Sequence, residues 1–267
     1  MRERLARHLA GLALLGMLAL PLGARLAHAE TVLITGANSG IGLEFAKEYA
    51  ARGWTVIATH RHDTTPESLA TLAKAHANVQ VEQMDVTSQK QIDALAAKLH
   101  GAPVDVLINN AGIYNDNGNW STQTFGKLDF ALMDTIMAVN VKGPLMVSEA
   151  LVANVKASKQ RKIVNISSTN GSLTQPLAGD GAIFYRASKA ALNREMLLVA
   201  MTLKKDNIIV ALVHPGAVLT ERQENLRGFK GMVEMPFTVS QMIATIDKMT
   251  MADSGRFMLY DGTTVPW

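Results

Sequence analysis

A doubly wound α/β fold built on one parallel sheet of about seven strands is predicted by three features of this 267-residue sequence. Short, nearly continuous apolar runs recur along the chain, as expected of strands covered on both faces. The segments between them carry apolar residues at helical spacing, such as Leu43, Ala46 and Ala50. A glycine-rich stretch follows the first run directly and opens the first helical segment, as at a strand-to-helix phosphate turn.

The predicted strands are TVLIT (31–35), TVIAT (55–59), VQVEQM (79–84), VDVLIN (104–109), KIVNIS (162–167), IIVALV (208–213) and RFMLY (256–260). Right-handed crossovers through the intervening helices give the doubly wound architecture. No repeat, low-complexity tract or linker divides residues 30–267, so they form one domain. Two segments break the rhythm: YNDNGNWSTQTFG (114–126) after the fourth strand, and residues 216–237 after the sixth, which carry no strand pattern. Both follow strand carboxyl ends, where ligands bind in open α/β sheets, and are candidate substrate walls. The apolar helix 190–203 suits either the core or a homodimer or homotetramer interface.

Residues 1–29 differ from the rest. They hold Arg2, Arg4, Arg7 and Arg25 against Glu3, which accounts for the whole net charge of +3; the remainder carries 22 basic and 22 acidic residues. A neutral body with no basic cluster gives no nucleic-acid footprint. The apolar run Leu9–Leu22 is roughly 14 residues, short of the ~20 that span a bilayer as a helix. With the small residues Ala27 and Ala29 after it, the segment has the three parts of a secretory signal. An uncleaved membrane anchor or a non-signal extension are the other readings. A cleaved leader points to a secreted or periplasmic protein, whereas supply of a soluble nucleotide to the phosphate turn points to the cytoplasm. There is no cysteine, hence no disulfide or thiolate chemistry, and the histidines show no metal spacing.

Chemistry concentrates in a few motifs. In Thr35-Gly36-Ala37-Asn38-Ser39-Gly40-Ile41-Gly42 the glycines permit a tight turn and close approach to a pyrophosphate, and the helix start offers free N–H groups. Tyr185 and Lys189 lie four residues apart on one predicted helix face. A phenol titrates near ~10, and an adjacent ammonium is expected to lower that value.

With Asn109-Asn110-Ala111-Gly112 after the fourth strand and Ile166-Ser167-Ser168 after the fifth, these motifs resemble the short-chain dehydrogenase/reductase family, which has a Rossmann-type fold. The resemblance runs from residue 31 to 267. ISSTNGS (166–172), FYRASKAALN (184–193) and the ending GRFMLYDGTTVPW resemble the branch containing C-factor and the sniffer carbonyl reductase.

The resemblance implies Tyr185 as general acid/base and Lys189 as the group that tunes it and holds the nicotinamide ribose. It makes Ser168 a donor to the substrate oxygen and Asn140, in AVNVKGP, the holder of a relay water. Gly143-Pro144 beyond Asn140 is expected to kink that helix. The family's usual serine-to-tyrosine separation would select Ser172. The strand end and the S-x-x-G pattern select Ser168, which is preferred because the strand fixes where its last residue stands.

Cofactor contacts carry over to Gly36, Asn38, Ser39, Gly40, Ile41 and Gly42, to Asp85 and Val86 at the adenine, and to Asn109, Ala111 and Gly112. Pro215, Gly216, Val218 and Thr220 resemble the segment that holds the carboxamide; His214 before them is read as having a backbone role. The second strand ends in His60 and Arg61, not in the carboxylate that would bind the ribose hydroxyls of NAD. Arg61 matches a 2′-phosphate, so NADP(H) is expected, with NAD(H) an option. The implied activity is hydride transfer between NADP(H) and a small carbonyl or alcohol. A non-catalytic nucleotide-binding regulator on the same scaffold and a 3-oxoacyl thioester reductase are the alternatives.

Overall fold

The structure, a computed structural model, describes residues 29–115, 121–176, 179–219, 228 and 231–267. The leader up to His28 therefore lies outside the described residues, as does Thr220.

Seven strands form a wholly parallel sheet: β1 (Thr31–Ile34), β2 (Thr55–His60), β3 (Val79–Gln83), β4 (Val106–Asn109), β5 (Lys162–Ile166), β6 (Ile209–His214) and, last in the chain, β9 (Phe257–Leu259). Their spatial order is β3-β2-β1-β4-β5-β6-β9. The order reverses at β1/β4, so the crossovers on either side leave a crevice above those strand ends.

Helices cover both faces: α1 (Gly40–Ala51), α2 (Glu67–Ala75), α3 (Gln89–Leu99), α4 (Phe130–Met137), α5 (Gly143–Ala157), α6 (Ile183–Leu203) and α7 (Met235–Lys248). Each strand alternates its side chains between two cores. Val32, Ile34 and Ile108 face Phe45 and Tyr49 of α1 and Ile243 of α7. Leu33, Leu107 and Leu212 face Val147 of α5 and Met196 of α6 on the other side. These side chains are fully or almost fully buried, each stabilising the fold by about 1.5–3 kcal/mol. Helix 190–203 gives Leu192, Met196 and Ala200 to the core and leaves Leu198 and Met201 exposed.

Two expectations change. Residues 217–219 and 232–234 form strands β7 (Ala217–Leu219) and β8 (Met232–Glu234), paired in parallel as a separate ribbon. Three residues are too few to show a period-2 pattern, which is why the sequence does not reveal them. The Gly143-Pro144 irregularity takes the form of a π-helical turn at Ala138–Lys142, in which the Gly143 N–H donates to the Ala138 carbonyl. Helix continues from Phe130 to Ala157, long and apolar enough to cross a membrane by composition, yet half buried in the domain.

Candidate active site

A cleft of about 410 Å³ opens above the carboxyl ends of β1, β2, β4 and β5. At one end stands the β1–α1 turn, with Gly36, Asn38, Ser39, Gly40 and Ile41 on its wall. Ser39 caps α1 without a side-chain hydrogen bond, and the first turn has no acidic residue. The free N–H groups and positive dipole end of α1 thus face the cleft as an anion site. Thr35 ties this turn to the next strand end: its Oγ1 accepts from the Asn110 and Ala111 N–H groups, both at 3.0 Å. The Asn110 amide donates to the Thr35 and Gly36 carbonyls at 2.9 and 3.1 Å.

Gly42 serves this clasp rather than the cleft. A Cβ there would stand 2.4 Å from Asn110 Nδ2 and 2.4 Å from the Gly36 carbonyl oxygen. Ala111, Gly112, Asp85, Val86 and Pro215 line the cleft, as does Arg61, whose side chain is exposed beyond β2. Asn109 does not: it is buried, and its Nδ2 donates to Ser148 and Asn165, each at 2.9 Å. Strand alternation turns Asn109 beneath the sheet edge and leaves Asn110 to face the cleft, a correction to the expected contact. Gly216 and Val218 also lie outside the lining; Val218 is buried in the β7–β8 ribbon.

At the inner end, α6 brings Tyr185 and Lys189 onto one face. The Lys189 ammonium is 5.9 Å from the Tyr185 ring centroid and donates to the Ile166 carbonyl at 2.9 Å. Ser168 follows β5 and is buried; its Oγ accepts from the Asn170 N–H at 3.2 Å. Its hydroxyl also acts on Tyr185, pulling that phenol down. Gly171 makes this possible, since a Cβ there would meet the Lys189 carbonyl carbon at 2.5 Å. Ser172 points elsewhere: it donates to the Pro266 carbonyl at 2.8 Å and anchors the C-terminal segment. Ser167 bonds to Asn193 of α6.

The electrostatics depart from the expected pairing. Burial pushes the Tyr185 phenol up, the Ser168 hydrogen bond pulls it back, and Tyr114 adds to the rise. Burial brings the Lys189 ammonium down to about 8. Desolvation, not the ammonium, thus sets the direction in which the phenol shifts. His214 is held down at about 4, first by burial and then by the Lys189 charge, so it is neutral at pH 7. Its Nε2 lies 3.4 Å from Thr169 Oγ1.

Asn140 sits in the π-turn and spends its whole amide on structure. Oδ1 accepts from the Ile113 N–H at 2.8 Å, while Nδ2 donates to the Ile113 carbonyl and to Ser188 Oγ. Pro144 has no N–H to offer the main-chain carbonyl four residues back, that of Asn140. π-Turns inside helices often mark functional sites for this kind of reason.

Thr35 and Asn110 lie in the quoted motifs, and Tyr114 and Gln123 in the 114–126 segment read as a candidate substrate wall, but none of these, nor His62, is singled out by the sequence as a site residue. Tyr114 and His62 line the cleft, and the Tyr114 ring meets Tyr185 edge-on at 6.3 Å. The fully buried Gln123 accepts from the Tyr185 N–H at 3.0 Å and donates to the Tyr114 carbonyl at 2.6 Å. A depression of about 490 Å³ at the opposite sheet end has its buried cation paired, for Lys162 donates to Gln160 and to the Ile246 and Asp247 carbonyls.

Residues 30–230 match the family model described as short chain dehydrogenase. The chain belongs to the short-chain dehydrogenases, an oxidoreductase family. It is 36% identical over 174 residues to C-signal of Myxococcus xanthus, covering 65% of this chain and 99% of that protein. It is 34% identical to 1-hydroxy-2-glutathionyl-2-methyl-3-butene dehydrogenase of Rhodococcus sp. (strain AD45), over 89% of this chain and all of the relative. Among solved structures, the NADPH-bound carbonyl reductase from chicken fatty liver superposes with a TM-score of 0.81 at 31% identity. The carbonyl reductase Sniffer of D. melanogaster gives 0.79 at 27%; each comparison covers 90% of this chain and all of the other. These similarities place the chain in the C-signal and carbonyl-reductase-like branch of the family.

Proposed function

We propose that the protein is an NADP(H)-dependent reductase of small carbonyl compounds, and the corresponding alcohol dehydrogenase in reverse. The observation that carries this reading is the meeting of Tyr185 and Lys189 at the inner end of a cleft whose other end is a free helix N-terminus, with Ser168 acting on Tyr185 from just behind the wall.

The residues present fit a dinucleotide. The uncapped start of α1, from Asn38 to Ile41, suits a pyrophosphate. The buried Lys189 ammonium has three N–H donors and directs one to Ile166, which leaves donors for ribose hydroxyls. Asp85 and Val86 would flank the adenine, and Pro215 the carboxamide. The chemistry such a cofactor supplies when bound is hydride exchange with a carbonyl carbon.

The chain's own groups would do the rest. Ser168 donates to the substrate oxygen as negative charge grows there. Tyr185 releases its phenolic proton to that oxygen, and the Lys189 ammonium over the ring favours the phenolate left behind. Lys189 returns a proton to the phenolate. A water on the Asn140 carbonyl, which lacks an N–H from Pro144, would refill the lysine.

Purified protein is expected to oxidise NADPH when given reactive aldehydes and ketones; no turnover across such a set would end the proposal. Ser168→Ala should lower kcat by about 100-fold, as loss of one donor to a developing oxyanion does. Ser172→Ala should keep kcat within about threefold while costing about 1 kcal/mol of stability through the lost Pro266 bond. The opposite pattern would reassign the serine.

Arg61 supports the choice of cofactor, being a cation on the cleft wall directly after His60, which stands where NAD would call for a carboxylate. Arg61→Ala is expected to reduce the ratio of kcat/KM for NADPH over NADH by at least about tenfold, the worth of a charge-assisted phosphate contact. An unchanged ratio would remove Arg61 from cofactor selection.

A further inference from the structure

The start of α6 is built in an unusual way. Its N-cap, Ala182, has φ +59, a left-handed conformation that an alanine adopts at a cost, and offers no side-chain acceptor. The first N–H groups of a helix need partners from outside it. For Tyr185, that partner is Gln123, 62 residues away in sequence. The other end of the same amide holds the Tyr114 carbonyl. With no exposed surface, the Gln123 side chain is fixed at both ends and has no water to turn to.

Its surroundings belong to the same wall. Gln123 ends a 3₁₀ turn at Ser121–Gln123, in the segment after β4. That segment packs on the start of α6: Phe130 lies 6.1 Å from Phe184, and a Cβ on Gly181 would be 3.8 Å from Thr124 Oγ1. Two residues beyond Gln123, Phe125 is 86% exposed. Tyr114 lines the cleft and stands edge-on to the Tyr185 ring. A single buried amide therefore joins the residue carrying the phenol to the residue forming the adjoining wall.

We propose that Gln123 is a positioning residue of the reductase centre: by bridging the Tyr114 carbonyl and the Tyr185 N–H, it sets where the Tyr185 phenol stands relative to the substrate wall. The inference rests on the reading of Tyr185 as the proton donor. It assigns Gln123 no contact with substrate or cofactor. Its effect runs through the main chain of Tyr185 and of Tyr114. A displacement of the phenol by even about 1 Å is enough to depress turnover strongly.

Two variants test it. Gln123→Leu removes both bonds, and with them the outside partner of the Tyr185 N–H. It should lower kcat by roughly 10- to 100-fold, with NADPH affinity from fluorescence titration within about twofold. Amide hydrogen exchange at Tyr185 should accelerate by roughly tenfold or more. Gln123→Glu keeps the shape. Its neutral acid can accept from Tyr185 and donate to Tyr114, whereas its carboxylate cannot donate. Complete burial at this position raises such a carboxyl, so kcat should recover relative to wild type as pH falls from 8 to 6, and the Leu variant should show no such recovery.

A Leu variant with kcat within twofold of wild type and unchanged Tyr185 exchange would overturn the proposal. So would a lowered melting temperature with kcat intact, which is the mark of a purely structural amide. Amide exchange is read without turnover. A wild-type protein that reduces no carbonyl would thus defeat the functional reading, while exchange at Tyr185 would still decide whether Gln123 holds that residue.

Discussion

Tyr185→Phe is expected to lower kcat for NADPH-dependent carbonyl reduction by about 10³-fold, within the range that a positioned general acid contributes. The substitution removes one oxygen and little else. The Phe ring keeps the edge-on contact with Tyr114 and its place beneath the Lys189 ammonium. What disappears is the proton donor and the partner of the Ser168 hydroxyl. Affinity for NADPH, measured by fluorescence titration, should stay within about twofold, and the Lys189 bond to the Ile166 carbonyl should survive.

Among the described residues, the neighbouring groups offer no ready replacement. His214 is neutral at pH 7 with a pKa near 4, so it carries no proton to give as an imidazolium. Its Nε2 faces Thr169 rather than Tyr185. Tyr114 is the nearest other phenol, and a Tyr114→Phe, Tyr185→Phe double variant shows whether any residual rate belongs to it. A single variant that keeps more than a tenth of wild-type kcat would sink Tyr185 as the acid.

The sheet and the residues at its strand ends were legible because they obey local rules. All seven apolar runs became strands of the parallel sheet, with boundaries shifted by one or two residues. Ser168 was selected over Ser172 by where β5 stops, and the structure sets Ser168 against Tyr185 and Ser172 against Pro266. The Gly171 spacing also had a physical basis, the close passage of that turn over the Lys189 backbone.

The misses share a different cause. Gln123 acts through partners 9 and 62 residues away, so no spacing in the sequence marks it. Asn109 and Asn110 are identical in type, and only strand alternation decides that the first is spent on Asn165 and the second braces the phosphate turn. The direction of the Tyr185 shift was missed for a related reason. Spacing reveals that an ammonium is near, whereas the depth of burial decides whether charge or desolvation dominates. Composition says nothing of that depth.

Lys189→Met should change the pH dependence of stability as well as abolish the relay. In the folded protein without cofactor, burial holds the ammonium at about 8, against 10.5 for an ordinary lysine. Between those values the unfolded chain keeps a proton that the folded one has released. Stability therefore rises with pH across this window, and the penalty is fully present below pH 8. The Tyr185 phenol shifts in the opposite direction, so its contribution falls away above its ordinary pKa of 10. The rise is thus best seen between pH 8 and 10. Lys162 is also held low by burial and adds to it in both wild type and variant.

Urea unfolding at pH 7 and 9.5 should show wild type gaining roughly 2 kcal/mol more than Lys189→Met over that interval. At pH 7 the variant should be the more stable protein, since Met fills the same space without a desolvated charge. Its kcat should fall by at least about 100-fold, because the phenolate left on Tyr185 loses its proton source. A variant more stable and less active than its parent would locate the cost of the ammonium in function, the trade expected of a strained catalytic group. Parallel stability curves for the two proteins would mean that Lys189 titrates as an ordinary lysine, and its place as the proton source would fall with them.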